Sequence, residues 1–182
     1  MTDRPPAPGG LALVQGFVNT LDIETGVDSL ATPEGRAAFG LTARTVPAAR
    51  ELREALRTAC LAHAGHRTGD GSTAVLDRLL AAAPLRVAVD VRGAAVLRPA
   101  VEPDALLSRI AVAIAGAVAD GTWVRLKACE AEDCRWAFYD RSPAGRGRWC
   151  AMSVCGARAK MRAYRARLAE GDRPGPPLRS GP

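Results

Sequence analysis

Apolar positions along this chain recur at helical spacing, with a single change to strand spacing. Leu11, Val14, Val18 and Leu21 fall three and four apart with Phe17 beside them, which predicts an amphipathic helix over 11–21 that ends before Asp22. Ala49, Leu52, Leu56, Ala59 and His63 form a second stripe and predict a helix over 48–63, with Pro47 suited to its first turn and Arg50, Arg53, Glu54 and Arg57 on its other faces. After a loop over 65–71, Ser72 or Thr73 can cap a shorter helix through Ala83, stopped by Pro84. The period then changes to two. Leu85, Val87, Val89 and Val91 alternate strictly, and Ala95 to Leu97 resume after Arg92-Gly93-Ala94, the pattern of a β-hairpin. Residues 102–120 read as a mostly buried helix, with Pro103 in its first turn, Leu107, Ile110, Ile114 and Val118 inward, and Gly121 as its stop.

Composition bounds the class. The length, 182 residues, suits one ordinary domain or a moderate domain with a small module. Residues 1–10 hold three prolines and two glycines, and residues 171–182 four and three, so both ends are expected to be flexible. No apolar run approaches the roughly 18 to 20 residues that cross a bilayer, and Met1 to Pro6 lack a signal-peptide pattern. A cytoplasmic protein with no membrane partner is the expectation, and with it cysteines that ligate metal or stay reduced. Residues 1–124 carry no phosphate-cradling glycine loop, no nucleophile elbow and no spaced carboxylate pair. An enzyme is therefore not expected.

Charge changes the picture near residue 124. The first 124 residues hold 12 Lys+Arg and 13 Asp+Glu, whereas residues 125–182 hold 13 and 6, so the whole excess of +6 comes from the last third. Four of the five cysteines sit there as well, in two pairs with the same gap: Cys129 and Cys134, then Cys150 and Cys155. Two such pairs supply a tetrahedral all-sulfur site, and zinc fits it better than a disulfide pairing or an iron–sulfur cluster. With no position left for water, one zinc ion here is structural; a segment of about 40 residues needs that help to fold. The reading is an α+β protein: a flexible 1–10, a mainly helical N-terminal domain with one β-hairpin over 11–124, a small four-cysteine zinc finger over 125–170 ending in a basic helix, and a disordered tail over 171–182.

Arg148-Trp149-Cys150-Ala151-Met152, then Cys155-Gly156-Ala157-Arg158 and Lys160, with Phe138, Tyr139, Asp140 and Ser142 upstream, resemble the CGNR zinc finger. In that family the finger follows an ABATE domain, and Phe17 to Asp22 and Leu30 to Glu34 are similar to its opening motifs. The resemblance implies a bacterial transcription regulator. One departure stands out, since the Asn of the family signature is Ala157 here.

Residues 156–168 are rich in Ala, Arg, Lys and Met and hold no breaker, which predicts a helix from Cys155 to about Ala169. Met161, Tyr164 and Leu168 share a stripe expected to pack on the knuckle or the larger domain, flanked by Arg158, Arg162 and Arg165 on one side and Lys160 and Arg167 on the other. These cations, with Arg141, Arg146 and Arg148 on the loop between the cysteine pairs, are the candidate nucleic-acid contacts. DNA is preferred to RNA because of the resemblance. The alternative is a zinc-stabilised protein-interaction or RNA-binding module without a sequence-specific DNA target. Trp136 and Trp149 are expected to pack on the knuckle, and Glu130, Glu132 and Asp133 to balance surface charge. Cys60 reads as an inert buried thiol and His63 and His66 as structural or solvated. Asn19, Thr20 and Asp22 either cap the first helix or line a pocket for a small-molecule effector. A homodimer reading paired half-sites would extend the few base contacts one finger offers.

Overall fold

The computed structural model describes residues 4–66, 73–102 and 105–171. Ser72, Pro103 and the tail from 172 lie outside them. Helix α1, Leu11–Val18, buries Leu11, Val14, Phe17 and Val18 and crosses α5, Leu106–Ala119. The helices meet closely at Gly10, where a Cβ would stand 2.8 Å from that of Ala113. Helix α1 stops short of the predicted Leu21 because the Thr20 hydroxyl donates to the Phe17 carbonyl, 2.8 Å, and the chain turns. Helix α2, Pro33–Ala37, begins as its sequence suggests, with Pro33 in the first turn and the Thr32 hydroxyl accepting from the Gly35 amide. Gly35 packs directly on the Ser29 carbonyl, leaving no room for a side chain.

Helix α3, Val46–His63, runs through the centre. Its apolar stripe is buried as expected, but Arg53 and Arg57 are buried beside it rather than on the outer faces. Each has a full set of partners, which is what makes burial tolerable. Arg53 grips Asp28 through two nitrogens, at 2.7 and 3.2 Å, and also donates to Thr20 and Glu54. Arg57 donates to Glu54, to the Val18 carbonyl and, 78 residues away, to the Arg135 carbonyl. Cys60, fully buried on the same helix, has its thiol pushed up to about 12 by burial and is inert. His63 sits edge-on to Trp123 with Nδ1 2.8 Å from the Leu126 carbonyl, and burial lowers its pKa.

Helix α4, Ala74–Ala81, precedes the hairpin of β1, Leu85–Val89, and β2, Ala95–Pro99, paired antiparallel with Val87 opposite Leu97. The period-two alternation is present, yet its apolar set points outward: Val87 and Val89 are 68% and 69% exposed. Helix α5 buries Leu106, Ile110, Ala111 and Ala117, while Leu107 and Ile114 are half-buried. Val118, expected inward, is exposed, because α5 packs through its small residues on α1. Gly121, at φ 65°, ends that helix in the left-handed conformation.

A second hairpin follows, β3, Leu126–Ala128, and β4, Ala137–Tyr139. Leu126, Ala128, Ala137 and Tyr139 belong to the apolar core of the helices, whereas Phe138 faces the cysteines. Residues 4–10 are exposed apart from Ala7, but they touch the rest of the chain at several points. Ala7 is buried, its amide donates to Gln15, Pro6 accepts from Arg141, and Arg4 covers the Phe138 ring at 4.9 Å. Prolines make this arm stiff, so little conformational entropy is lost in docking it. Among the described residues no helix is long and apolar enough to cross a membrane.

Burial alone would raise the Asp28 carboxyl, but the hydrogen bond and charge of Arg53, with the Leu30 amide and Arg50, outweigh it and hold the group below its ordinary value. A depressed folded pKa contributes stability that is complete above about pH 4 and is lost as pH falls through the folded value. Asp28→Asn is expected to cost about 1.5–3 kcal/mol in urea unfolding at pH 7. The gap between variant and wild type should close as the pH is taken below about 4.

Candidate metal centre

The cysteines are delivered by two turns that differ in construction. In the first, β3 leads into Cys129, whose amide donates to the Trp136 carbonyl, and the amides of Cys134 and Arg135 both donate to Ala131. Arg135 takes the left-handed conformation, φ 50°, which an arginine rarely adopts. It is held there from both ends: its carbonyl accepts from Arg57, and its guanidinium donates to the Glu130 carbonyl. The second turn is a single wide helical turn, Met152–Gly156, which presents Cys155 immediately before α6, Ala157–Gly171. A Cβ on Gly156 would strike the Met152 sulfur and stand 3.2 Å from the Trp149 ring, so a larger residue there would displace the exposed Met152 side chain. Glu130 and Arg148 tie the two turns together through paired side chains and a backbone bond. Trp136 and Trp149 pack against the cluster, as expected.

The four sulfur atoms lie within 4.8 Å of one another, with Cys134 and Cys150 at 3.6 Å and Cys150 and Cys155 at 3.7 Å. A tetrahedron of about 2.3 Å zinc–sulfur bonds has edges of about 3.8 Å, so the donor set fits one structural zinc ion. Cys129, Cys150 and Cys155 are buried and Cys134 half-buried. Hydrogen bonds from Cys134 and Cys150 pull the Cys129 thiol down, and donating to that sulfur pushes Cys134 and Cys150 up. Burial raises Cys155. Thiolates this close repel one another, and a divalent cation is what lets all four thiols lose their protons together. When bound, zinc supplies a cross-link between the two turns.

Behind the cluster a buried ion pair fixes the intervening loop. Lys127 Nζ stands 3.0 Å from Asp140 Oδ2 and also donates to the Gly145 carbonyl. Asp140 further accepts from the amides of Ser142 and Gly147 at 3.0 and 2.6 Å, and a Cβ on Gly147 would strike its carboxylate. Burial alone would raise Asp140, but the bonds from Ser142, Gly147 and Lys127 hold it well below the carboxylate range. Asp140 is visible in the sequence only through the family resemblance, and nothing in composition marks Lys127 as its partner.

Helix α6 stands away from the rest. Met161, Tyr164 and Leu168, expected to pack, are 51%, 51% and 56% exposed, because the zinc cluster anchors only the helix start. Lys160, with Arg4, Arg146, Gly147 and Trp149, lines an open groove of about 640 Å³. Arg158, Arg162 and Arg165 line the groove on the opposite side of α6, and Arg167 is exposed. Two candidates have partners already: Arg148 on Glu130 and Arg158 on Glu24. Arg141 lies over the Tyr139 ring and donates to Pro6. Ala157 is exposed at the head of α6.

Asn19 and Thr20 meet protein groups. The Asn19 amide donates to the Ala137 carbonyl at 2.9 Å and accepts from the Ala137 amide at 2.7 Å, adding itself to β4 as a further strand would. Gln15, one turn earlier, reaches the same carbonyl. Their i, i+4 spacing on an otherwise apolar helix is the signal that could have marked them as one polar face. The Thr20 hydroxyl accepts from Arg53. Asp22 lines a cavity of about 120 Å³ beside Glu24, Trp136, Cys134, Cys150 and Cys155.

A helical domain fused through a shared hairpin to a four-cysteine finger defines a class of small zinc proteins. The CGNR zinc finger family model matches residues 125–168, and that of ABATE, described as "Putative stress-induced transcription regulator", matches residues 11–121. The chain belongs to the ABATE family and carries a CGNR finger. A search of curated proteins finds no match to it.

Purified protein is expected to hold one zinc per chain by elemental analysis, and Cys129→Ser or Cys155→Ser to lose it. Asp140→Ala leaves Lys127 buried without its counter-ion and should cost about 3–5 kcal/mol in unfolding experiments on the zinc-loaded protein.

Proposed function

We propose that this chain is a cytoplasmic, zinc-dependent, DNA-binding transcription regulator without catalytic activity. The finger, 125–170, is its DNA-binding part, and the N-terminal domain, 11–124, serves ligand sensing or dimerisation. One observation carries the reading: α6 projects from the metal centre with Arg158, Lys160, Arg162, Arg165 and Arg167 and no acid before Glu170. Over residues 125–168 eleven cations face four acids, and after four thiolates and one Zn²⁺ a net +5 remains. Such a surface attracts phosphate by releasing counterions, and a solvent-exposed helix of this width fits a major groove. Arg146 and Lys160, beside Gly147 on one flank, suit backbone contacts, while Arg162 and Arg165 on the other suit base edges.

The exposed stripe of Met161, Tyr164 and Leu168 favours a second reading, a zinc-stabilised module that docks on protein or RNA. Mobility-shift titration of genomic fragments separates the two. DNA binding predicts selective, salt-sensitive retention. Arg162→Ala with Arg165→Ala should weaken it roughly ten- to hundredfold and relax its selectivity, whereas Lys160→Ala should weaken all fragments alike and reduce the salt slope by about 1. Equal weak retention of every fragment, together with a protein partner captured despite nuclease, would decide for the second reading.

A further inference from the structure

The β1–β2 hairpin is a two-stranded ribbon, and among the described residues β1 pairs with β2 alone. Isolated ribbons of this kind are marginal, and their free edges invite another strand. The amide of Asp90 donates to the Ala94 carbonyl and that of Ala100 to the Pro84 carbonyl. In an antiparallel ladder the bonded pairs alternate, so Arg86 and Ala88 turn their backbone groups toward β2. Leu85, Val87 and Val89 therefore turn theirs to the open edge. The same three residues, with Ala95, Leu97 and Pro99, make one sheet face wholly apolar, and Val87, Val89 and Leu97 are exposed on it. Arg86, Ala88 and Asp90 share the opposite face.

The geometry points to a second copy of this chain as the occupant of that edge, with β1 antiparallel to β1 about a twofold axis through Ala88. Charge selects this register. Centred on Ala88, the pairing sets Arg86 opposite Asp90 of the second copy and repeats that pair by symmetry, with Val87 beside Val89. Moving the axis to Arg86 or to Asp90 opposes identical charges, and moving it to Val87 leaves both charges unpaired. The register also agrees with the backbone. It joins Val87 to Val89 through their outward amides and carbonyls and leaves Ala88 facing Ala88 as a close, non-bonded pair, where a small side chain is best placed. Asp90 keeps its charge available while one of its oxygens holds the β1–β2 turn by accepting from Arg92 and Ala94. The product is a continuous four-stranded sheet that presents two α6 helices.

The test uses the full-length, zinc-loaded protein without DNA, so its outcome is independent of how α6 is used. Sedimentation equilibrium should give a dimer mass. Arg86→Glu sets a carboxylate against Asp90 of the second copy twice and should weaken the dimer about tenfold. Ala88→Cys should form a reducible cross-linked dimer under mild oxidation, since the Cα atoms of such a pair stand about 4.5 Å apart, within disulfide reach. Leu97→Cys, on the far strand, should not. Zinc content and helicity equal to wild type establish that each variant is folded, and Arg86→Glu, a change at an exposed position, serves if the Cys variant is not. A monomer mass overturns the proposal. So does a dimer that ignores Arg86→Glu, or that cross-links as well through position 97 as through position 88.

Discussion

Leu126, Ala128, Ala137 and Tyr139 close the apolar core of the helices with one face of the β3–β4 hairpin, and Phe138 with Cys129 builds the metal centre on the other. Because side chains alternate across a strand, a six-residue hairpin can serve two cores only if its register is fixed. Three devices fix it. Asn19 clamps both polar groups of Ala137, Arg57 holds the Arg135 carbonyl, and Lys127 with Asp140 locks the strand ends. The binding free energy of the metal is therefore also folding free energy for a wall of the helical core.

Polar groups, more than the apolar pattern, decide how the parts meet. Arg53 and Arg57 enter the core because Asp28, Glu54, Thr20 and backbone carbonyls leave neither short of partners. Removal of Arg57 would leave the Val18 carbonyl of α1 and the Arg135 carbonyl of the first cysteine turn without this donor. This explains why an arginine is held in the left-handed region at position 135: strain there is offset by bonds made across the two parts of the chain.

Much of this was legible in the sequence. The helical stripes, the hairpin and the paired cysteines at equal spacing stand in the sequence where the structure has them, because period and ligand geometry are local properties. The buried arginines were not legible, since a cation within a helical stripe looks solvated until its partners arrive from Asp28 and Arg135, far along the chain. The stripe on α6, expected to pack, is exposed for the opposite reason, and the outward valines of β1 show the same limit: periodicity shows that an apolar face exists, but nothing about which neighbour covers it. Asn19, weighed as a cap or a ligand contact, bonds a strand more than a hundred residues away, a relation no local rule encodes.

Helix α6 is held at one end only. Helices of about 12 to 15 residues are marginal in water without tertiary support, and this one has its cysteine anchor as nucleus and solvent along the rest of its described length. Its far turns should exchange between helix and coil on a submicrosecond scale, so a partner that seats it must also order it. Association would then carry an entropic cost and a negative heat capacity change beyond what rigid surfaces give, while the loose end sweeps a wider capture radius.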